Sequence, residues 1–329
     1  MLNLIIILLI LSCSNEKLNS TKIHKIKLDE NRIQFKTDRS KLFYLQNELD
    51  SQEFEQIKKK EIIEFSKDVN SGFQNQKFEF TYTGYFNIAH TCDTTKKDKL
   101  IRNLEIFFRD TYPLYFQWEP NFPIRLVLFP DRKTLKKETG MDVYGFYIPN
   151  SRESYPNITT KTIYTYCISG SGTQWHEVMH AFLDWNAKEY PPSWFSEGIA
   201  SFYEEASIID GKMVDGYVNW RNPTLIAEIK SKKNYSTLTE IIKGKDTSRE
   251  SFYAQARFLF CYLWMKGKIV PFVRTYLYDI HPKFDYKERG LKTILLLEEL
   301  LGKSIDEIEI DFQKEALIAG PKMKKLKLK

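Results

Sequence analysis

His176-Glu177-Val178-Met179-His180, followed by Trp194-Phe195-Ser196-Glu197-Gly198-Ile199-Ala200-Ser201-Phe202-Tyr203-Glu204, is the stretch around which the chain is organised. On a helix, positions four apart lie one above the other, so His176 and His180 can aim ring nitrogens at one point while Glu177 projects beside them. That combination supplies two metal ligands and a base. Zinc held by two His and one Glu keeps a fourth position for water, whose pKa falls to about 7, and a neighbouring carboxylate can take the proton.

The third ligand distinguishes classes of zinc peptidase. The metzincin pattern needs Gly three and His six residues after His180, where Leu183 and Asn186 stand, so that class is excluded. Glu197, with sixteen intervening residues after His180, suits a helix-turn-helix return. The pattern predicts a helix over 173–187, a turn through Pro191-Pro192, and a second helix starting near Ser193, with the Ser as N-cap.

Residues 176–180 together with Trp194-x-x-Glu197-Gly198-x-Ala200-x-x-x-Glu204 resemble the active-site core of the gluzincin metallopeptidases, especially the aminopeptidase N-like branch and the bacterial peptidase MA-like proteins. The resemblance implies His176, His180 and Glu197 as ligands to Zn2+ and Glu177 as general base. Glu204 matches a carboxylate that recurs in that family. Tyr253, fifty-six residues after Glu197, lies in a context similar to the helix that carries an oxyanion-stabilising Tyr in the aminopeptidase N-like branch. The bland alternative for Tyr253 is a core residue with its hydroxyl satisfied. Arg257, one turn on, would bias the phenol toward donation, and His281 is the other candidate donor. No Gly-x-Met-Glu-Asn-like segment precedes His176, so the element that holds a free amine in the aminopeptidases is missing.

Upstream, residues 1–12 read as a targeting segment. Leu4 to Leu11 is an apolar run far shorter than the ~20 residues of a spanning helix, and Leu11-Ser12-Cys13 resembles the lipobox of bacterial lipoproteins, with cleavage before Cys13 and acylation of its thiol. No Lys or Arg precedes the run, a departure from a standard signal. Residues 13–40 are polar and lysine-rich, the composition of a tether. The expected location is a bacterial cell envelope, with the chain held to the membrane by lipid.

The chain carries 42% hydrophobic residues and a net charge of +6, much of it in the Lys-rich end, so residues 321–329 read as a frayed basic tail. No basic motif with interleaved aromatics points to nucleic acid. With Cys13 acylated, Cys92, Cys167 and Cys261 allow at most one bridge and leave one thiol.

Periodicity predicts an α+β fold, with an N-terminal α/β lobe over 41–170 and a zinc-binding helical lobe over 171–320. In the first lobe it gives a helix from Phe43 to Asn70, a strand over Lys77 to Ala89 and a helix from Lys99 to Phe116. A strand from Pro123 to Phe129, a helix from Arg132 to Thr139 stopped by Gly140, and a strand over Thr160 to Ile168 follow. Almost pure helix is expected after the zinc helix, including Ser251 to Trp264, Leu291 to Leu301 and Asp306 to Leu317. In gluzincins the strand corresponding to 160–168 is an exposed edge to which a peptide substrate adds, a general mode of peptide recognition.

The expected function is hydrolysis of a peptide or protein substrate. A non-catalytic envelope protein that keeps the zinc fold for scaffolding or peptide capture is the alternative, since fold does not fix function. An intact Glu177 argues against it, because a binder needs no base. Cys13→Ser is expected to release the protein from the membrane fraction or stall its processing, read by fractionation and immunoblot; a variant that still partitions with membranes means the apolar run is itself the anchor.

Overall fold

A computed structural model describes residues 51–117, 123–149, 158–187, 189–215, 219–244 and 250–326, all within one compact unit. The targeting segment, Cys13 and the tether lie outside the described residues. Among those described, no helix is long and apolar enough to cross a membrane.

The first half is built on a five-stranded mixed sheet in the order β1-β2-β3-β5-β4. The strands are β1 (Glu79–Tyr82), β2 (Phe86–His90), β3 (Ile124–Phe129), β4 (Phe146–Ile148) and β5 (Thr162–Tyr166). β2, β3 and β5 run parallel, and β1 and β4 pair antiparallel at the two edges. Every residue of β2, β3 and β5 is buried, as expected for parallel strands covered on both faces. Alternation divides them: Phe86, Ile88, Leu126, Leu128 and Ile163 join the main core, whereas Ala89, Val127, Phe129, Tyr164 and Tyr166 join a second cluster on the other face.

Helices cover both faces. α1 (Ser51–Gly72) sets Phe65 and Val69 in the second cluster and is tied to the sheet by Arg125 of β3, whose guanidinium lies 2.7 Å from Glu61 and 3.2 Å from Asp68. α2 (Thr94–Tyr115) starts at Asp93, whose carboxylate accepts from the Lys96 amide, and packs Leu104, Phe107 and Phe108 in the main core. α3 (Arg132–Thr139) ends at Gly140 in the left-handed region, φ 75°, where glycine carries no Cβ penalty.

Two expectations for this half need correction. The strand read over 77–89 is a hairpin, β1 and β2, reversing around Gly84 at φ 89°, because the aromatic alternation continues across a glycine that permits the turn. The strand over 160–168 is also not an edge. β4 covers it, since the Tyr144-Gly145-Phe146-Tyr147 segment folds back as a short antiparallel strand and, among the described residues, becomes the edge.

The second half comprises α4 (Ser171–Asn186), α5 (Ser193–Phe202), a 3-10 turn (Tyr203–Glu205), α6 (Asn222–Ser231), α7 (Leu238–Ile242), α8 (Glu250–Met265), α9 (Ile269–Thr275), a π-helical turn (Tyr276–Ile280), α10 (Tyr286–Leu301) and α11 (Ile305–Leu326). It is not purely helical: β6 (Ser207–Ile209) and β7 (Lys212–Val214) form a hairpin around Asp210 and Gly211, both with positive φ. α11 also continues through Leu326, so part of the expected basic tail is helical, in keeping with the high helix propensity of Lys, Met and Leu. Pro192, not Ser193, occupies the N-cap of α5, and Ser193 is the first helical residue.

Cys92, just after β2, and Cys167, just after β5, form a disulfide, and Cys261 is the buried free thiol. α5 packs tightly against α8 at Gly198. A Cβ on Gly198 would stand 2.5 Å from the Phe260 ring and 2.9 Å from the Ala256 carbonyl. Gly198→Ala is therefore expected to cost about 1–3 kcal/mol through overpacking, read as a lowered denaturant midpoint with unchanged slope.

Candidate metal centre

α4 and α5 together carry the site. Their antiparallel return is set by Tyr190-Pro191-Pro192, since proline fixes its own φ and holds the preceding residue extended. His176 and His180 lie one turn apart on α4, and Glu197 faces them from α5. The Nε2 atoms of the two imidazoles are 3.0 Å apart. The Glu197 carboxylate lies 3.4 Å from Nε2 of His176 through Oε2 and 3.6 Å from Nε2 of His180 through Oε1. All three ligand atoms fall within 4.8 Å of one another, and among the described residues this is the group that could hold a metal ion.

The fit can be tested against coordination geometry. Two donors each about 2.0–2.1 Å from a tetrahedral zinc stand about 3.3 Å apart. Separations of 3.0, 3.4 and 3.6 Å bracket that figure. Proton accounting agrees with it. Nδ1 of His176 faces the Glu204 carboxylate at 3.2 Å. The contact has the distance of a charge pair, although its alignment falls short of a well-formed hydrogen bond. A carboxylate can only accept, so Nδ1 carries the ring proton and Nε2 presents a lone pair. Glu197 is also acceptor-only. Lone pairs that converge in a buried space favour a cation among them, a role that a metal ion fills when bound and that a proton on His176 fills without it.

Electrostatics of the metal-free cluster follow from the same crowding. Burial alone would lower the His176 pKa, but the carboxylates of Glu197 and Glu204 reverse it and hold it well above the ordinary value. Burial would raise Glu197, yet His180 and His176 keep it far below the usual carboxylate range. Glu204 behaves in the same way, brought down to about 2 by His176 and Arg221 against the effect of burial. Glu177 differs: burial raises it, and the attraction of His176 and His180 offsets only part of the rise. One carboxylate is thus poised to take up a proton, and two are held as anions.

Around the ligands lies a ring of supporting contacts. Glu204 accepts from Arg221 at 2.9 Å and from the Asn219 amide at 2.9 Å. A Cβ on Gly172, in the first turn of α4, would lie 2.0 Å from the Glu204 carbonyl oxygen, so only glycine lets the start of α4 meet the 3-10 turn. His180 has its own partner, the Tyr190 hydroxyl, 2.7 Å from Nδ1. Asp184, one turn beyond His180, accepts from Tyr147 of β4 at 2.7 Å and pairs with Lys161 at 3.2 Å, which clasps the sheet edge to α4. Just before β4, a Cβ on Gly145 would come 3.2 Å from Cγ of Glu177, so the edge strand arrives directly beside the candidate base.

The structure sorts the remaining sequence candidates. Tyr253 is partly buried near the centre: burial and the Glu197 charge raise its pKa, and the Arg221 guanidinium sits 5.5 Å from its ring centroid. The cation beside Tyr253 is Arg221, not Arg257, which donates to the Ser201 carbonyl at 2.8 Å and to Cys261 Sγ at 3.3 Å. His281 is committed elsewhere, with Nε2 2.7 Å from the Glu189 carbonyl oxygen and its ring stacked on Tyr276. Sequence reading missed Tyr190, Arg221, Asn219, Asp184 and Tyr147. Of these only Tyr190 carried a signal, its place before the Pro-Pro turn that returns the chain to the ligands.

His180→Ala and Glu197→Ala are each expected to remove metal from protein purified without added metal, as measured by elemental analysis. Glu204→Gln, which keeps the shape but loses the charge facing His176, should weaken retention about 10- to 100-fold without abolishing it. Metal retained undiminished in Glu197→Ala would assign the third ligand elsewhere. Compared with known proteins, the chain matches no protein-family model and no curated protein.

Proposed function

We propose that this protein is a zinc-dependent metallopeptidase of gluzincin type, anchored by lipid in a bacterial cell envelope. The observation that carries the reading is the convergence of two Nε2 atoms and one carboxylate, with a further acid, Glu177, buried beside them and held out of the ligand set. A bound zinc would be held by His176, His180 and Glu197, and when bound it supplies a Lewis acid that polarises a carbonyl and acidifies water.

The remaining steps fall to the chain. An extended peptide adds to the free edge of β4, where backbone pairing fixes its depth relative to α4. The scissile carbonyl then lies beside Glu177, because Gly145 brings the edge against that side chain. Glu177 takes a proton from the attacking water and returns it to the leaving amine; its raised pKa suits both acts. Tyr253 donates to the oxygen that becomes negative, with Arg221 behind its ring favouring donation. The Cys92–Cys167 disulfide supports export, since such bonds persist in oxidising compartments.

Glu177→Gln tests the reading with least ambiguity, because it keeps shape and removes the base. Zinc content should match the wild type while turnover on a peptide library falls by a hundredfold or more, base catalysis being worth about 10²–10⁴. Equal turnover of the variant and the wild type would sink the assignment of the base. Tyr253→Phe loses only the hydroxyl: stability should stay within about 1 kcal/mol. Its kcat should drop about a hundredfold with KM little changed. Unchanged kcat would return Tyr253 to the role of packing.

A further inference from the structure

We infer that Tyr190 is the positioning residue of the second histidine: its hydroxyl orients His180 for the metal and does so without adding charge. The inference rests on the proposed metal centre. The Tyr190 oxygen lies 2.7 Å from Nδ1 of His180, on the side of the ring away from Nε2. With Nε2 committed to a metal, Nδ1 must carry the ring proton and donate it, and the phenol oxygen accepts. This fixes both the tautomer and the rotation of the ring, while the hydroxyl's own proton remains free to turn toward another acceptor.

The two histidines are therefore held by different chemistry. His176 faces an anion, Glu204, whose charge is balanced by Arg221 at 2.9 Å. His180 faces a neutral hydroxyl. A second carboxylate in the place of Tyr190 would be the fourth acid around the centre after Glu177, Glu197 and Glu204, and Arg289, which lines the cavity beside Tyr190, already pairs with Glu189 at 2.8 Å. A neutral acceptor orients the ring and leaves the charge balance of the metal and Glu197 undisturbed. The backbone makes this placement rigid, since Tyr190 precedes Pro191-Pro192 and is confined to extended geometry. Its ring also walls a cavity of about 200 Å³ with Trp194 and Tyr276, so replacing Tyr by Phe keeps the wall and removes one oxygen.

Metal-free wild type and Tyr190→Phe are titrated with Zn2+, and separately with Co2+, against a competing chelator, and both metal-free proteins are melted. The expected result is a Zn2+ Kd weakened 10- to 100-fold, a changed visible spectrum of the Co2+ form, and equal melting temperatures without metal. Equal Kd values and identical spectra would overturn the inference, as would a lowered metal-free melting temperature accounting for the weaker binding. A wild type that binds zinc, is weakened by Tyr190→Phe and cleaves no peptide would uphold the inference and remove the peptidase reading. A wild type that binds no metal would overturn both.

Discussion

Two imidazole nitrogens and a carboxylate stand within 4.8 Å of one another in a largely buried space, and most of the second half of the chain is arranged to permit it. Such a cluster is unfavourable by itself, because buried lone pairs repel and lose their water. It persists where the surrounding structure over-determines it. α4 and α5 are joined by a turn with two prolines, α5 is pressed onto α8 through Gly198, and the end of α5 runs into a 3-10 turn whose Glu204 returns to His176. The aromatic residues Trp194, Phe195, Phe260 and Tyr276 fill the space behind α5, so the strain at the centre is set against an apolar core.

The sheet contributes position. Its buried parallel strands form a stiff floor; the Cys92–Cys167 disulfide ties the ends of β2 and β5 together, and the Asp184 clasp fixes the sheet edge relative to α4. Among the described residues the edge on the α4 side is the short β4, which has three residues and thus few pairing groups. A short edge is a poor template for indiscriminate self-association.

How much of this could be read from the sequence depends on the range of the interaction. His176, Glu177 and His180 declare themselves because helical geometry converts sequence spacing into space, and Glu197 follows from the short return between two helices. α3 was legible to the residue because its stop is local, a glycine that alone tolerates φ 75°. The supporting ring was not legible, because Arg221 reaches Glu204 across seventeen positions and Tyr147 reaches Asp184 across thirty-seven, distances at which no periodicity operates. The identity of the edge strand failed for a related reason. Phe146 to Ile148 is too short to show alternation, and only its pairing with β5 makes it a strand. Arg257 was misjudged because helical spacing places residues on one face but does not say which neighbour competes for the guanidinium, and here the Ser201 carbonyl does.

Gly172 and Gly198 bear on how such a centre diversifies. A β-carbon at position 172 would collide with the backbone of the residue that faces His176, and one at 198 would drive α5 off α8. Gly172 sets how closely the start of α4 meets the 3-10 turn, and Gly198 sets how closely α5 meets α8. Chains that share this centre should vary freely in their surface loops while tolerating almost nothing at these two positions. A search for distant kin that demands a small residue four before the first histidine, and another directly after Glu197, would then separate true relatives from chance histidine pairs.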